Sequence, residues 1–535
     1  GGGISGLATA WYISKFAPHV PITLFEKSSR LGGRVQSKRV QCDDGEILFE
    51  AGPRTLRPWS VAGLATLDLV RQLGLEDKLF LVKRDDIASQ NRFIFYPDQL
   101  NQLPADIVSV FSSLRLPIMK TVFGGLFPEI VRKRRNLNMA DESVGSFLSR
   151  RVGLPLAESL ISAAIHGMYA GDLDQLSMKS LFPKEWRDEH VHGSLSRGLF
   201  STQQVERIDD LVFKAQLKDD NRPLLKKLEG TVMYCFEDGM QTLTDAIAQD
   251  LLQRSNVQIF TDSPIEQLSW DGEHIELYPS SPTPPTSHEF FTTPESPPPP
   301  KFSHVISTLH APRTNDLLPA TTKIPTLSTI PATSVLVVSL YYRPSKILPV
   351  NGFGYLIPKS ITAELNPHHA LSVTFDTDMY RPTGETGTKL TVTMGGHYWT
   401  SLLANGDASF LPASEEEAVM MAVKTLMVQL GGEFFTEEPV AWNVALHEDC
   451  YPQYTVGHEE RCIKAREELW EKFEGRLSVV GSSYKGVGVS DCVRHAREVA
   501  VRLVKLGKGS GLEDVEKTWA VKDTPPSLRR KRIEM

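Results

Sequence analysis

The chain begins with a glycine-rich turn, Gly1-Gly2-Gly3-Ile4-Ser5-Gly6, and an acidic residue, Glu26, stands twenty residues after its last glycine. Between them, the apolar residues of Leu7–Ile13 predict a helix and Val20–Phe25 predicts a short strand. In a dinucleotide-binding β-α-β unit, such glycines let the backbone approach a pyrophosphate, and the acid binds a ribose hydroxyl. The helix N-terminus adds free N–H groups for phosphate. The combination predicts a nucleotide cofactor.

The unit needs a strand before Gly1, and the sequence has neither that strand nor an initiator methionine. We therefore expect it to be a fragment of a longer chain.

A second glycine motif, Arg30-Leu31-Gly32-Gly33-Arg34, follows Glu26 closely. Nicotinamide dehydrogenases do not usually carry this second glycine pair. The motif is similar to one found in flavoproteins of the amine oxidase and phytoene desaturase type. It therefore favours FAD as the cofactor.

Composition limits the other classes of function. The 535 residues exceed what one hydrophobic core holds, so two or three domains are expected. A net charge of −7 gives no reason to propose nucleic acid as a partner. The five cysteines form no CxxC pair, and neither they nor His190, His192, His368 and His369 have the spacing of a metal site. We expect no metal.

The stretch from Leu103 to Val131 is rich in apolar residues, is interrupted by prolines, and runs into the basic residues Arg132–Arg135. Apolar helices beside a basic cluster are typical of proteins that lie in a membrane interface. A pair of core helices with a solvated basic end fits the pattern equally well. The sequence leaves both interpretations open.

Pro279–Lys301 is proline-rich, and we expect a disordered loop there because it cannot bury enough apolar surface to offset its ordering entropy. The strand-like runs Ile275–Tyr278 and His304–Ser307 flank it, so a long hairpin loop is predicted. Near the C-terminus, Leu477–Val480, a glycine-rich turn and Asp491–Leu506 predict a second strand–turn–helix unit. Both ends of the chain would then share one nucleotide domain.

Several stretches together resemble the protoporphyrinogen oxidase family. They span nearly the whole chain in the family's order, and the proline-rich insertion departs from that pattern. The stretches are GGGISGLATAW (Gly1–Trp11), FEAGPRTLRP (Phe49–Pro58), QNRFIFY (Gln90–Tyr96), NGFGYLIP (Asn351–Pro358), YPQYTVGH (Tyr451–His458) and GSSYKGVGVSDC (Gly481–Cys492).

The resemblance implies roles for individual residues. Arg92 would pair with a substrate propionate, and Phe353 and Leu356 would contact the macrocycle. The implied contacts of non-covalent FAD are Gly1, Gly2, Gly3, Ile4, Ser5, Gly6, Glu26, Lys27, Arg34, Gly52, Pro53, Arg54, Thr55, Val257, Ser482, Val487, Gly488 and Val489. No residue is assigned as catalytic, because the flavin would carry the chemistry.

The implied activity is the six-electron oxidation of protoporphyrinogen IX to protoporphyrin IX in haem biosynthesis, with molecular oxygen as acceptor and hydrogen peroxide as by-product. The implied location is the surface of the mitochondrial inner membrane, and a homodimer is expected. Two alternatives stay open: another flavin oxidase of the superfamily, acting on amines or polyenes, and a catalytically silent flavin-binding scaffold.

The expected fold is α/β, with a Rossmann-like FAD-binding domain, an inserted mixed-sheet substrate domain and a helical domain at the membrane. The FAD-binding domain would comprise 1–85, 231–320 and 471–510, and the substrate domain 86–100, 206–230 and 321–470. The helical domain would comprise 101–205, with a tail at 511–535.

Overall fold

The computed structural model describes residues 1–104, 129, 132–136, 138–200, 205–207, 214–215, 217, 221–280, 299–344, 347–382, 385–515 and 519–521. The strands within these residues are β1 (Ile22–Phe25), β2 (Ser37–Cys42), β3 (Gly45–Glu50), β4 (Leu79–Lys83), β5 (Arg92–Phe95), β6 (Leu100–Leu103), β7 (Val205–Arg207), β8 (Thr231–Phe236), β9 (Val257–Phe260), β10 (Ile265–Trp270), β11 (Ile275–Pro279), β12 (Lys301–Phe302), β13 (Val305–Ser307), β14 (Ala332–Tyr342), β15 (Gly354–Leu356), β16 (Ala370–Thr374), β17 (Thr388–Gly395), β18 (Ala441–Pro452), β19 (Leu477–Val479) and β20 (Trp519–Val521).

The α-helices in the same residues are α1 (Ile4–Phe16), α2 (Val61–Gln72), α3 (Ile87–Gln90), α4 (Val144–Arg151), α5 (Leu154–Leu156), α6 (Ser162–Tyr169), α7 (Met178–Leu181), α8 (Pro183–His192), α9 (Leu195–Phe200), α10 (Arg222–Lys227), α11 (Gln241–Leu252), α12 (Ala311–Asp316), α13 (Asp376–Met379), α14 (His397–Ala404), α15 (Glu415–Leu430), α16 (His458–Phe473) and α17 (Val489–Leu506). A π-helical turn, Ala157–Ile161, joins α5 to α6.

The two ends of the chain lie in one α/β unit, as predicted. β1 pairs in parallel with β9, and β13 pairs in parallel with β19. The N-terminal helix α1 packs against the C-terminal helix α17 and against α11. Side chains from these three helices share one apolar core, which includes Leu7, Tyr12, Leu243, Val493 and Ala496.

A seven-stranded mixed sheet forms the second part of the molecule, in the order β18-β14-β17-β16-β15-β5-β6. β14 is the longest central strand of this sheet. One sheet face is apolar and packs on α15, with core residues that include Phe93, Tyr355, Val392 and Leu426. Because side chains alternate along a strand, the other face carries Arg92, Thr391 and Ser339. This second face is called the polar face below.

A smaller helical core is built from the segment between Val144 and Trp186. A buried ion network ties that core to the basic run: Arg135 pairs with Glu189 at 2.9 Å and its guanidinium lies 3.5 Å from the centre of the Trp186 ring. Arg151 pairs with Glu129 in the same network. The basic run is therefore partly structural, since Arg135 is buried in the protein. Most of the apolar stretch before it lies outside the described residues.

The flanks of the proline-rich segment pair as a hairpin, but with a different partner from the one predicted. β11 pairs antiparallel with β12, which joins Ile275 to Phe302 and Glu276 to Lys301. The prediction that His304–Ser307 forms this hairpin was wrong, because β13 pairs with β19 of the α/β unit. The expected disorder of the loop concerns mainly 281–298, which lie outside the described residues.

Candidate functional site

The carboxyl ends of parallel strands from both halves of the chain meet at the Gly1–Gly6 turn. The Gly1 nitrogen donates to the Phe25 carbonyl oxygen at the end of β1, at 2.7 Å. Thr308, directly after β13, donates its hydroxyl to the Gly1 carbonyl oxygen at 3.0 Å. Gly481, just beyond β19, lies against Ser5. In open α/β sheets, ligands bind in the crevice at such strand ends.

The turn itself fits a dinucleotide phosphate. A Cβ atom at Gly6 would overlap the Gly1 carbonyl oxygen, so only glycine allows this close approach. Helix α1 starts at Gly3 without a side-chain cap. The first N–H groups of a helix have no intrahelical acceptor, so an anion can accept from them.

Glu26 lies at the carboxyl end of β1, beside the turn. Its carboxylate accepts from the Gly2 nitrogen at 2.5 Å, and from the Ser28 nitrogen and hydroxyl at 3.0 and 2.8 Å. Burial alone would raise the pKa of this carboxyl, but the hydrogen bonds from Ser28 and Gly2 outweigh it and lower the pKa. The side chain is therefore held ionised, as an acceptor of ribose hydroxyls must be.

The second glycine motif lies against the first. The Gly32 nitrogen donates to the Gly2 carbonyl oxygen at 2.8 Å. Arg34 is exposed and donates to the carbonyl oxygens of Glu448 and Asp449 on β18, at 2.8 and 3.1 Å. Lys27 is exposed next to Glu26. Arg34 thus links the nucleotide-binding part to the edge of the seven-stranded sheet.

The Gly52–Thr55 segment, called the flavin loop below after its predicted role, lies over the polar face of the sheet. Arg54 donates its Nε to Asp376 Oδ1 at 2.9 Å, and its other nitrogens reach the carbonyl oxygens of Gly52 and Glu50. The Ala51 carbonyl oxygen is 2.6 Å from His447 Nε2. The guanidinium is therefore occupied by protein groups.

Glu50, immediately before the flavin loop, has an unusual environment. Its carboxylate accepts from the Met240 nitrogen at 2.7 Å and from the Ser37 hydroxyl at 2.8 Å. Burial raises the pKa of Glu50 to about 7, despite those hydrogen bonds and the nearby Arg54 guanidinium, which lower it. This carboxyl changes its charge near neutral pH.

The glycine-rich turn before α17 is clamped by one buried tyrosine. Tyr454 donates its hydroxyl to the Ser482 carbonyl oxygen at 2.5 Å and accepts from the Gly486 nitrogen at 2.8 Å. Gly488 caps α17, so Val487, Gly488 and Val489 lie at the start of that helix. The turn is half-buried and joins the crevice through Gly481.

Val257 is not placed with the other predicted cofactor residues. It pairs with Ile22 at the amino end of β9, whereas Glu26 follows the carboxyl end of β1. The segment beyond β9 does reach Glu26, because the Ser263 nitrogen donates to the Glu26 carbonyl oxygen at 2.8 Å. Ile265, two residues further on, is therefore the better-placed apolar residue. Its signal in the sequence is only its position after the strand.

The predicted substrate residues lie on adjacent strands at the far end of the sheet. β5 and β15 are parallel, with Leu356 paired to Ile94, so Gly354 lies beside Arg92. Arg92 and Leu356 both belong to the polar face. Leu356 also contacts Gly167 of α6. Phe353 precedes β15 and packs on Met379 in a small apolar cluster.

Arg92 is half-buried and, among the described residues, its side chain has neither a hydrogen-bond nor an ion-pair partner. Burial and the neighbouring Arg57 lower the pKa of its guanidinium. An arginine nevertheless stays charged at neutral pH. A guanidinium without a protein partner can accommodate a ligand carboxylate through two parallel hydrogen bonds.

Three contact residues were not predicted from the sequence. Asp376, Tyr454 and Thr308 hold the candidate site together through contacts that are remote in sequence. Tyr454 falls inside the quoted YPQYTVGH stretch, so a signal was present there. Asp376 and Thr308 carry no local signal, since short polar stretches like theirs are common in loops.

Within the residues that the structure describes, none of the helices combines the length and the apolar composition of a membrane span. The same residues contain no group of three or more His, Cys, Asp or Glu side chains arranged for a metal ion.

Known proteins resemble this chain in sequence and in fold. The model of the flavin containing amine oxidoreductase family matches residues 4–504. The protoporphyrinogen oxidase of Schizosaccharomyces pombe is 35% identical over 519 residues, which cover 95% of this chain and 99% of that protein. The human protoporphyrinogen oxidase is 32% identical, with 94% of this chain and 97% of that protein covered.

A solved structure shares the fold. It is a protein of Exiguobacterium sp. 255-15, assigned provisionally as a protoporphyrinogen oxidase, with a TM-score of 0.69 and 23% identity, covering 94% of this chain and 97% of that one. The predicted α/β fold with its inserted mixed sheet is confirmed. The protein is a flavin-dependent oxidoreductase. The chain belongs to the flavin containing amine oxidoreductases and, within them, to the protoporphyrinogen oxidase family.

Proposed function

We propose that the protein is an oxygen-dependent protoporphyrinogen oxidase with non-covalently bound FAD. It converts protoporphyrinogen IX to protoporphyrin IX in haem biosynthesis and releases hydrogen peroxide. The observation that carries this proposal is Arg92, a half-buried cation without a partner among the described residues, on the sheet face that also receives the flavin loop. The names of the relatives at 35% and 32% identity support it.

The residues divide the work of holding FAD. Gly1, Gly2, Gly3, Ile4, Ser5 and Gly6 bind its phosphates through backbone N–H groups. Glu26, with Lys27 beside it, accepts from the ribose hydroxyls, and Ile265 serves on the adenosine side in preference to Val257. The rest of the FAD molecule is contacted by Arg34, the flavin loop, Ser482 and Val487–Val489. FAD supplies hydride acceptance and reoxidation by oxygen.

The substrate is held by its charge and its shape. Arg92 pairs with a propionate, because a guanidinium binds a carboxylate through two parallel hydrogen bonds. Phe353 and Leu356 contact the macrocycle. We further propose that the enzyme works at the mitochondrial inner membrane, with 101–205 as the membrane-associated part, and that it forms a homodimer.

The test uses the purified full chain. Acid precipitation should leave the flavin in the supernatant, and the native protein should turn colourless protoporphyrinogen into fluorescent protoporphyrin while hydrogen peroxide accumulates. A yellow protein that oxidises a panel of amines but not protoporphyrinogen would be another oxidase of the superfamily. A yellow protein inactive on both would be a silent scaffold.

A further inference from the structure

The short helix α13 carries two carboxylates that contact opposite sides of the candidate site. Asp376, its first residue, accepts from Arg54 of the flavin loop at 2.9 Å. Asp378, two residues later, accepts from the Gly352 nitrogen at 2.7 Å. Gly352 begins the turn that carries Phe353. One four-residue element therefore touches both the cofactor side and the substrate side.

On the cofactor side the contacts form a closed set. The side chains of Arg54 and Asp376 are only 15% and 11% exposed. Asp376 Oδ2 accepts from the Thr391 hydroxyl at 2.6 Å, and that hydroxyl lies 2.8 Å from Ser339 Oγ. Asp376 is thus oriented by the polar face of the sheet. Because Arg54 also bonds the Gly52 and Glu50 carbonyl oxygens, the ion pair fixes the backbone of the flavin loop.

On the substrate side the contacts run from α13 to the strand of Arg92. The Phe375 nitrogen donates to the Phe353 carbonyl oxygen at 3.1 Å, and the Phe353 nitrogen donates to the Asn91 carbonyl oxygen at 2.8 Å. Met379, the last residue of α13, belongs to the apolar cluster against which Phe353 packs. Asn91 is the residue directly before Arg92, so this set of hydrogen bonds ends at the residue proposed to pair with a substrate propionate.

We propose that α13 is a positioning element that sets the separation between the flavin and the macrocycle. Asp376 fixes the flavin loop and Asp378 fixes the Gly352–Phe353 turn, so the two carboxylates have separable effects. The inference rests on the proposed function, because the macrocycle is its substrate. Neither carboxylate takes part in the chemical step.

The test compares Asp376→Asn with Asp378→Asn in the full chain. Asparagine at 376 can still accept from Arg54 but removes a negative charge beside the flavin loop. Reduced flavin is anionic, so its midpoint potential should rise and FAD should dissociate about tenfold more readily from the protein. Protoporphyrin binding should not change. Asp376→Glu, which restores the charge, should bring the potential back towards the wild-type value.

Asp378→Asn should give the opposite pattern. The affinity for protoporphyrin, measured by fluorescence titration, should fall several-fold, and the flavin potential and FAD affinity should stay at the wild-type values. Both variants should lose turnover by about tenfold or more, because a misplacement of about 1 Å costs up to about a hundredfold in rate. Asp407→Asn, at an exposed loop aspartate, is the matched control and should change none of these quantities.

The proposal is overturned if neither variant moves its assigned quantity. It is also overturned if both variants shift the potential, FAD affinity and protoporphyrin affinity together with the melting temperature, since that pattern marks a purely structural role. A wild-type protein that fails to bind or oxidise the porphyrin substrate refutes the proposed function instead. The flavin potential of Asp376→Asn would still decide the cofactor half of the inference.

Discussion

Two of the three arginines assigned to the site, Arg54 and Arg92, differ in their surroundings. Arg54 is neutralised by Asp376 and bonded to two carbonyl oxygens, so it serves the protein's own structure. The Arg92 side chain is half-buried beside a second cation, Arg57, and has no hydrogen-bond or ion-pair partner among the described residues. A residue kept in that state costs stability, and a ligand carboxylate would offset the cost. Replacing Arg92 should therefore weaken the use of the substrate without changing the binding of the flavin.

Arg92→Ala should lower kcat/KM by about tenfold or more, because an ion pair shielded from water exceeds the roughly 0–1 kcal/mol of an exposed pair and 1.4 kcal/mol is about one decade. Arg92→Lys should recover only part, since an ammonium lacks the two-pronged geometry. Steady-state kinetics at matched flavin loading measure both. The control is Arg313→Ala, which removes an exposed arginine paired with Asp316. Wild-type kinetics from Arg92→Ala would remove this residue from the site.

Glu50 predicts a pH dependence of stability with a definite sign. Its folded pKa of about 7 lies above the unfolded value of 4.5, so the folded state binds more protons than the unfolded state between those limits. The contribution to stability is fully present below pH 4.5 and is lost as the pH rises through about 7. The effect of Glu50→Gln on the free energy of unfolding, relative to wild type, should therefore be more stabilising at pH 8 than at pH 5.

The measurement for Glu50 is the difference in free energy of unfolding between Glu50→Gln and wild type, from urea titrations at several pH values. It should change by about 1–3 kcal/mol between pH 5 and pH 8, since one pKa unit corresponds to about 1.4 kcal/mol. A difference that does not depend on pH would show that Glu50 keeps an ordinary pKa.

At the scale of elements, the β11–β12 hairpin divides the proline-rich insertion into two parts. Its flanks pair as strands, and we expect residues 281–298 between them to be dispensable for activity and stability. Replacing residues 281–298 with a short Gly-Ser turn should leave turnover and melting temperature nearly unchanged, because halving a loop changes its closure entropy by only about 0.6 kcal/mol. Calorimetry and the fluorescence assay measure the two. Extending the deletion through Phe302 removes β12 and should lower the melting temperature. A large loss of turnover or of melting temperature when only 281–298 are replaced would mean that the insertion packs on the protein or binds a partner.

The stretch from Leu103 to Val131 is the element proposed to reach the bilayer interface. Replacing Phe111, Phe123 and Phe127 with serine should release the protein from liposomes that contain anionic lipid, because apolar burial drives interfacial binding. Flavin content should not change. Leu252→Ser with Leu506→Ser is the control, since both leucines are about two-thirds exposed elsewhere, at 66% and 65%. Unchanged sedimentation of the phenylalanine variant with lipid would favour the core-helix interpretation.

Prediction from sequence succeeded where the signal was local. The Gly1–Gly6 turn, helix α1 and strand β1 are adjacent in the sequence, so local spacing alone predicts these elements. Pairing between strands was less accessible: β-branched residues predict that Val305–Ser307 is a strand but not that its partner is β19. Arg54 and Asp376 lie 322 positions apart, and only the tertiary fold brings their charges together.

For the whole molecule, the chain order explains how the site is built. The nucleotide-binding part uses both ends of the chain, and the seven-stranded sheet lies between them in sequence. Contacts such as Arg34 with Glu448, Arg54 with Asp376 and His447 with Ala51 then hold the two parts face to face. The candidate site lies where these parts meet, with the flavin loop on one side and Arg92 and Leu356 on the polar face of the sheet.

The central claim is that a flavin bound at this site accepts hydride from protoporphyrinogen. The most direct measurement mixes the oxidised, flavin-loaded protein with protoporphyrinogen under anaerobic conditions in a stopped-flow spectrometer. We expect the flavin absorbance to bleach before oxygen is admitted, and to return with porphyrin fluorescence and hydrogen peroxide once it is. A flavin that stays oxidised in the presence of protoporphyrinogen, yet bleaches with an amine, would contradict the account.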